Sequence, residues 1–152
     1  MQARKHPLCP QHISGSSYFH YLRRSIDVAH DLGVPYIKHT DGNIWPILEM
    51  MIDEGIDAIE PLEPPPQGNI SLTDLTRIAG DRISLMGYIQ DQDLYLLSED
   101  EVREHVREIA RHVEGNSGYI CCPTCTPFQH PPTDKYVTNY LAFLDESEKV
   151  NA

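Results

Sequence analysis

Apolar and polar positions alternate along this chain in blocks that predict helices and short strands in turn. Four predicted helices carry apolar residues at steps of three and four, and each ends at a glycine, namely Gly33, Gly55, Gly80 and Gly115. A short apolar run follows each glycine, at about 34–39, 57–60, 83–88 and 118–122, and we predict that each run is a strand. A last helix is predicted at 133–144.

Several local signals define where these helices begin and which faces they bury. Ser16 or Ser17 is the predicted N-cap of the first helix, whose apolar face holds Phe19, Leu22, Ile26, Ala29 and Leu32. Ser71 with Asp74, and Ser98 with Glu101, predict capping boxes for two later helices. Residues 61–68 are rich in proline, so we expect them to form a loop outside the sheet.

Alternation of helices with short apolar strands predicts an α/β fold built from repeated βα units around a parallel sheet. Four such units form either a small open sheet or half of a TIM-type (βα)8 barrel, since a complete barrel takes about 250 residues. We expect residues 1–16 to be an irregular entry segment, 17–145 to form the partial barrel of about four strands, and 146–152 to fray.

The net charge of the chain limits the classes of molecule that it is expected to bind. The net charge is −11, with 23 acidic and 12 basic residues, which argues against nucleic acid and anionic lipid as partners. The sequence shows neither a run of about 20 apolar residues nor a signal peptide, so we expect a cytoplasmic protein without a membrane partner. Three of the four cysteines fall within 121–125, a pattern that indicates reactive or metal-bound thiols rather than disulfides.

Polar side chains stand at the carboxyl end of every predicted strand. Because parallel strands bring these ends together, the side chains are expected to meet around one small-molecule ligand. They are, in chain order, His39 and Asp41, Glu60 and Glu63, Gln90 and Asp91, and Cys122 and Cys125. The competing explanation is that loops are simply polar, with Asp41 or Asn43 capping the helix that follows.

These residue types suit two kinds of chemistry. His39, Asp41 and Cys125 supply one nitrogen, one oxygen and one sulfur, and zinc accepts all three. His39 with Asp41 or Glu63 is also a workable proton-transfer pair, and these three are our predicted catalytic residues. We assign substrate binding to Asn43, Glu60, Gln90 and Asp91. The Cys122-Pro123-Thr124-Cys125 motif is a poor redox site, because further prolines interrupt any helix directly after it.

From about Tyr18 to Leu144 the chain resembles the C-terminal half of the uroporphyrinogen decarboxylase and cobalamin-dependent methyltransferase superfamily. The segments that carry the resemblance are HTDGN, DEGIDAIEPLEP, GDRISLMGYIQD, SEDEVREHVREIARHV and GYICCPTCTP with the proline-led helix after it. Members of the superfamily are complete (βα)8 barrels, so the resemblance implies a missing N-terminal half or a homo-oligomer that replaces it.

The resemblance implies two activities. The methyltransferase branch binds zinc through a His-x-Cys-Gly turn and a later cysteine, which places His39 and Cys125 as ligands and Asp41 in the position of the middle cysteine. Such an enzyme moves a methyl group to a thiol from a corrinoid on a partner protein. The decarboxylase branch uses no metal and acts on a carboxylated, porphyrinogen-like substrate. A third reading is an inactive, self-associating fragment.

Overall fold

A computed structural model describes residues 15–80, 82–115 and 118–150. Within them, four parallel strands form one sheet in the order β1-β2-β3-β4. The strands are Ile37–His39 (β1), Ala58–Leu62 (β2), Ser84–Ile89 (β3) and Tyr119–Pro123 (β4). The helices are Gly15–Asp31 (α1), Trp45–Asp53 (α2), Leu72–Ala79 (α3), Asp91–Leu96 (α4), Glu99–Val113 (α5) and Asp134–Val150 (α6). The predicted α/β fold with a parallel sheet is confirmed.

The two faces of the sheet differ in how far they are covered. Ile59 pairs with Leu85 in the neighbouring strand, and both are fully buried in the core that the helices share. Strand side chains alternate between faces, so Ile37 and His39 lie on the opposite face, as does Ile120 at the other edge of the sheet. Ile37 and Ile120 are each 50% exposed. We call this side the open face.

Asp57 joins the first helix to the start of the sheet. Its Oδ2 accepts a hydrogen bond of 2.6 Å from the backbone N–H of Tyr36 and lies 2.8 Å from Nε2 of His30 on α1. The bond from Tyr36 is the larger cause, and the contact with His30 the second, of a pKa below the usual aspartate value. Asp57 thereby fixes β1 beside β2.

Both predicted N-cap residues are confirmed, and one of the two predicted capping boxes forms in full. The Ser71 hydroxyl oxygen accepts from the backbone N–H of Asp74 at the start of α3. Ser98 and Glu101 form a reciprocal capping box at the start of α5. Each bond satisfies an N–H group that the first helical turn leaves without a partner.

The prediction that Pro61 lies outside the sheet is wrong, because Pro61 and Leu62 are the last residues of β2. The register between β2 and β3 shifts between Ile59 and Leu62, and a proline fits such an irregularity because no ladder bond requires its missing N–H. Leu62 then lies opposite Gly87, where an added Cβ would stand 2.6 Å from the Leu62 nitrogen. Gly87 also has a positive φ of 121°.

The chain departs from prediction at three helices. Helix α1 already includes Gly15, so neither Ser16 nor Ser17 precedes it, and Leu32 follows its end and is exposed. Helix α4 was not predicted, since it is only six residues long and begins with Asp91-Gln92-Asp93. Helix α6 continues to Val150, so residues 146–150 are helical rather than frayed. Residues 1–14 of the predicted entry segment, and 151–152, lie outside the described residues.

Ion pairs with α5 stabilise the part of α6 that extends beyond the predicted end of the helix. Glu146 is buried, and its Oε1 accepts a bond of 2.7 Å from Nε of Arg107 on α5, while Oε2 lies 3.4 Å from Nη1 of Arg103. The bond from Arg107 is the main cause that lowers the pKa of Glu146. This contact packs α6 against α5 and so places the other end of α6 beside the sheet.

Candidate functional site

A cavity of about 870 Å³ opens where β1, β2 and β4 end and α6 begins. One side of it is polar and the other is apolar. The polar side includes His39, Asp41, Glu60, Cys122 and Cys125, and the apolar side includes Tyr136, Val137, Tyr140 and Leu141 of α6. Three predicted site residues from the first two strands therefore share this cavity with Cys125, as the parallel topology requires.

His39 stands between two carboxylates at the rim. Its Nδ1 lies 2.8 Å from Oε2 of Glu60, and its Nε2 lies 3.5 Å from Oδ2 of Asp41. Glu60 faces His39 because the two residues pair directly across β1 and β2. The hydrogen bond to Glu60 raises the pKa of His39, partial burial opposes this effect, and the Asp41 carboxylate adds to it.

Glu63 is not among the residues that line the cavity, and it holds the turn that carries Asp41. Its Oε2 accepts a hydrogen bond of 2.6 Å from the backbone N–H of Gly42. Gly68 approaches the same loop so closely that a Cβ would stand 1.8 Å from the carbonyl oxygen of Glu63. Gly42 has a positive φ of 74°, which glycine adopts at little cost. Asn43, predicted to bind substrate, is exposed and is not part of the cavity lining.

Gln90 and Asp91 lie behind the cavity wall, because both are buried. The Thr124 hydroxyl donates to Oε1 of Gln90 at 3.2 Å and accepts from the backbone N–H of Asp91 at 3.3 Å. The Tyr136 hydroxyl donates to Oδ1 of Asp91 at 2.8 Å. These bonds fix two lining residues, Thr124 and Tyr136, from behind.

The second oxygen of Asp91 is unusual. Among the described residues no donor reaches its Oδ2 with hydrogen-bond geometry, although Asp91 is only 3% exposed. Burial raises the pKa of Asp91, and the Tyr136 hydroxyl and the neighbouring Cys125 thiol oppose the rise. Burial also raises the pKa of Cys125, and the negative charge of Asp91 adds to this effect. Cys125 is therefore favoured as a thiol rather than a thiolate.

The apolar side of the cavity was not predicted from the sequence. Tyr136 and Tyr140 are four residues apart on α6, with stacked rings 6.1 Å apart, and Tyr95 packs against Tyr136 at 4.5 Å. The signal that could have revealed this wall is the aromatic pair at helical spacing directly after the proline-rich loop. Cys122 was placed at a strand end, and it lines the cavity beside Glu60.

The predicted zinc ligands line one cavity, but they do not form a ligand set in this arrangement. No three His, Cys, Asp or Glu side chains within 15–80, 82–115 and 118–150 are grouped closely enough to hold a metal ion. His39 meets carboxylates on both sides, whereas Cys125 is associated with Asp91. Zinc therefore stays a prediction, and no step proposed below passes through a metal.

Comparison with protein families decides the relationship of the chain. The model of the uroporphyrinogen decarboxylase family matches residues 15–140, which include the four described strands and all the cavity-lining residues except Leu141. The chain belongs to the uroporphyrinogen decarboxylase family. The resemblance seen in the sequence is thereby confirmed. Comparison with curated proteins gives no match.

A solved structure shows the same fold. A methyltransferase from Methanosarcina mazei superposes with a TM-score of 0.61 and 19% sequence identity, over 92% of this chain and 39% of that chain. At this identity the likeness concerns the fold alone. The predicted partial barrel of about four parallel strands is confirmed, and the chain spans well under half the length of this relative. No helix among the described residues is long and apolar enough to cross a membrane.

Proposed function

We propose that this member of the uroporphyrinogen decarboxylase family supplies one half of an active site, in which His39 exchanges a proton with a small-molecule substrate. The observation that carries the proposal is the contact of 2.8 Å between Nδ1 of His39 and Oε2 of Glu60 at the rim of the cavity. A carboxylate on one ring nitrogen fixes the tautomer and orientation of the imidazole, so that Nε2 faces the substrate. Asp41, 3.5 Å from Nε2, stabilises the imidazolium once it forms.

Methyl transfer to a thiol is the reaction that suits this site best. The S–H bond of the acceptor breaks as its proton passes to Nε2 of His39, and the electron pair left on sulfur forms the new S–C bond. The bond between the methyl group and its carrier breaks, and the carrier keeps that electron pair. We propose a corrinoid on a partner protein as the carrier. The methyltransferase fold and an acidic rim that repels carboxylated substrates support this choice.

Metal-free decarboxylation is the second candidate, and it reverses the direction of the proton. The C–C bond to the leaving CO₂ breaks, and the carbanion takes a proton from the His39 imidazolium. The raised pKa of His39 favours this candidate, because it keeps the ring protonated over a wider pH range.

The open face calls for a further partner in either reaction. Ile37 and Ile120 at the two edges of the sheet are half exposed, whereas Ile59 and Leu85 on the covered face are buried. We propose that a second half-barrel covers this face, either from another part of a longer protein or from a second copy of this chain.

The test is the demethylation of methylcobalamin by this chain in the presence of a thiol, followed by absorbance. His39→Ala should lower the thiol-dependent rate by about 100-fold or more, the range of general acid–base catalysis. Glu60→Gln should lower it less, and Glu148→Gln, an exposed charge near the end of α6, serves as the matched control. Equal thiol-dependent rates for the native protein and His39→Ala, or no rate above that of denatured protein when the second half-barrel is present, would overturn the methyl-transfer proposal.

Two added measurements separate the alternatives. A rate that rises with pH through the pKa of His39 supports methyl transfer, because the neutral ring accepts the proton, whereas decarboxylation of a carboxylated porphyrinogen should fall over the same range. A rate that a chelator abolishes and zinc restores would instead support the predicted zinc site.

A further inference from the structure

The cavity presents negative charge without a basic side chain to balance it, apart from His39. Neither lysine nor arginine lines it among the described residues. Lys38, next to His39 in β1, points to the covered face, where its Nζ lies 5.8 Å from the centre of the Tyr18 ring. Lys135 at the start of α6 donates to the backbone oxygen of Leu96. His39 contacts one oxygen of Asp41 and one of Glu60, which leaves the other oxygen of each carboxylate for a ligand.

The side chains that line the cavity offer a ligand more hydrogen-bond acceptors than donors. Thr124 and Tyr136 line the cavity, but their hydroxyls donate to Gln90 and Asp91 behind the wall. A ligand that brings hydrogen-bond donors therefore finds partners in the carboxylates of Asp41 and Glu60.

The opposite wall suits an apolar body. Val137 and Leu141 of α6 are 43% and 59% exposed, and they border the cavity together with the rings of Tyr136 and Tyr140. Exposed apolar side chains that surround a concave site are typical of ligand pockets.

We infer that the cavity selects a cationic substrate whose ammonium group lies at Asp41 and Glu60 and whose apolar or aromatic body lies on the Tyr140 and Leu141 wall of α6. This inference deepens the proposed function, because it names the substrate class of the same site.

Three probes that share one aromatic body test the inference on the intact chain. Naphthylmethylamine is cationic at neutral pH, naphthylmethanol is neutral, and naphthoate is anionic. Their dissociation constants are measured by equilibrium dialysis at low salt. The amine should bind about tenfold more tightly than the acid, with the alcohol between them, because the two carboxylates attract an ammonium group and repel a carboxylate.

Variants of the cavity residues then test whether Asp41 and Glu60 cause the preference for the amine. Glu60→Gln and Asp41→Asn should each reduce the preference for the amine, Leu141→Ser should weaken all three probes, and Glu148→Gln should change nothing. Added salt should weaken the amine most. The inference is overturned if the acid binds as tightly as the amine, if no probe binds, or if the preference survives in both carboxylate variants. These readouts require no turnover, so the proposed reaction can fail while the substrate class stands.

Discussion

His39 is the side chain to which we assign proton transfer, and the carboxylates of Glu60 and Asp41 raise its pKa and so widen the pH range over which it is charged. We expect Glu60→Gln to lower the pKa of His39, and Asp41→Asn to lower it less, because the bond to Glu60 is the larger cause of the rise. The imidazole Hε1 shift, followed by NMR across pH, measures both changes.

The sign of the stability effect follows from the raised pKa. The pair of His39 and Glu60 stabilises the fold below the unfolded pKa of about 6.5, and this contribution is lost as pH rises through the folded pKa. His39 is 63% exposed, so solvent screens the pair and the change in unfolding free energy should be small. A pKa for His39 that is the same in Glu60→Gln as in the native protein would contradict this account, whereas Glu148→Gln should leave it unchanged.

Part of the site was readable from residue types at strand ends. His39, Asp41, Glu60 and Cys125 were predicted to meet, and they line one cavity. Position alone could not reveal that Glu63 points back to the Gly42 backbone, since this depends on the path of the loop before Gly68. Nor could it place Gln90 and Asp91 behind the wall, because their burial is caused by Thr124 and Tyr136, distant in sequence.

At the scale of elements, the join between β2 and β3 depends on the absence of a side chain at Gly87. Gly87→Ala places a Cβ against the Leu62 backbone at a positive φ, so we expect it to destabilise the protein by about 3 kcal/mol or more. Urea unfolding at equilibrium measures the loss.

Gly33→Ala is the matched control for Gly87→Ala, because Gly33 also has a positive φ but has no atoms near its Cβ position. This variant should lose only about 1–2 kcal/mol, the cost of the backbone conformation alone. Equal losses in the two variants would show that the close approach to Leu62 contributes nothing.

The elements themselves were largely predictable because their signals are local. Apolar periodicity and the serine caps located α3 and α5 to within a residue or two. The errors arose where a distant partner decides the outcome. Pro61 enters β2 because β3 accommodates a shifted register, and α6 passes Leu144 because arginines on α5 hold Glu146. A pattern of apolar residues contains neither kind of information.

At the scale of the whole molecule, the open face should make the isolated chain self-associate. Light scattering should give a mass above that of the monomer, and Ile120→Lys should lower it, because a charge on this face opposes contact between copies. Leu32→Lys replaces an apolar side chain beyond the end of α1 that is more exposed than Ile120, 74% against 50%, and it should have little effect. A monodisperse monomer of the native chain would contradict the expectation.

Because β1 is short, the identity of the side chain that it presents to the cavity depends on its register against β2. Lys38 and His39 are neighbours in a strand of three residues, so a slip of one residue against β2 would exchange the faces on which they lie. The cavity would then receive an ammonium beside Glu60 in place of the imidazole. The bond from Tyr36 to Asp57 opposes this exchange from outside the cavity, together with the backbone bonds from Asp57 and Ala58 to the Tyr36 oxygen. Asp57 therefore contributes to the alignment of β1 with β2, and this alignment decides whether His39 or Lys38 faces the cavity.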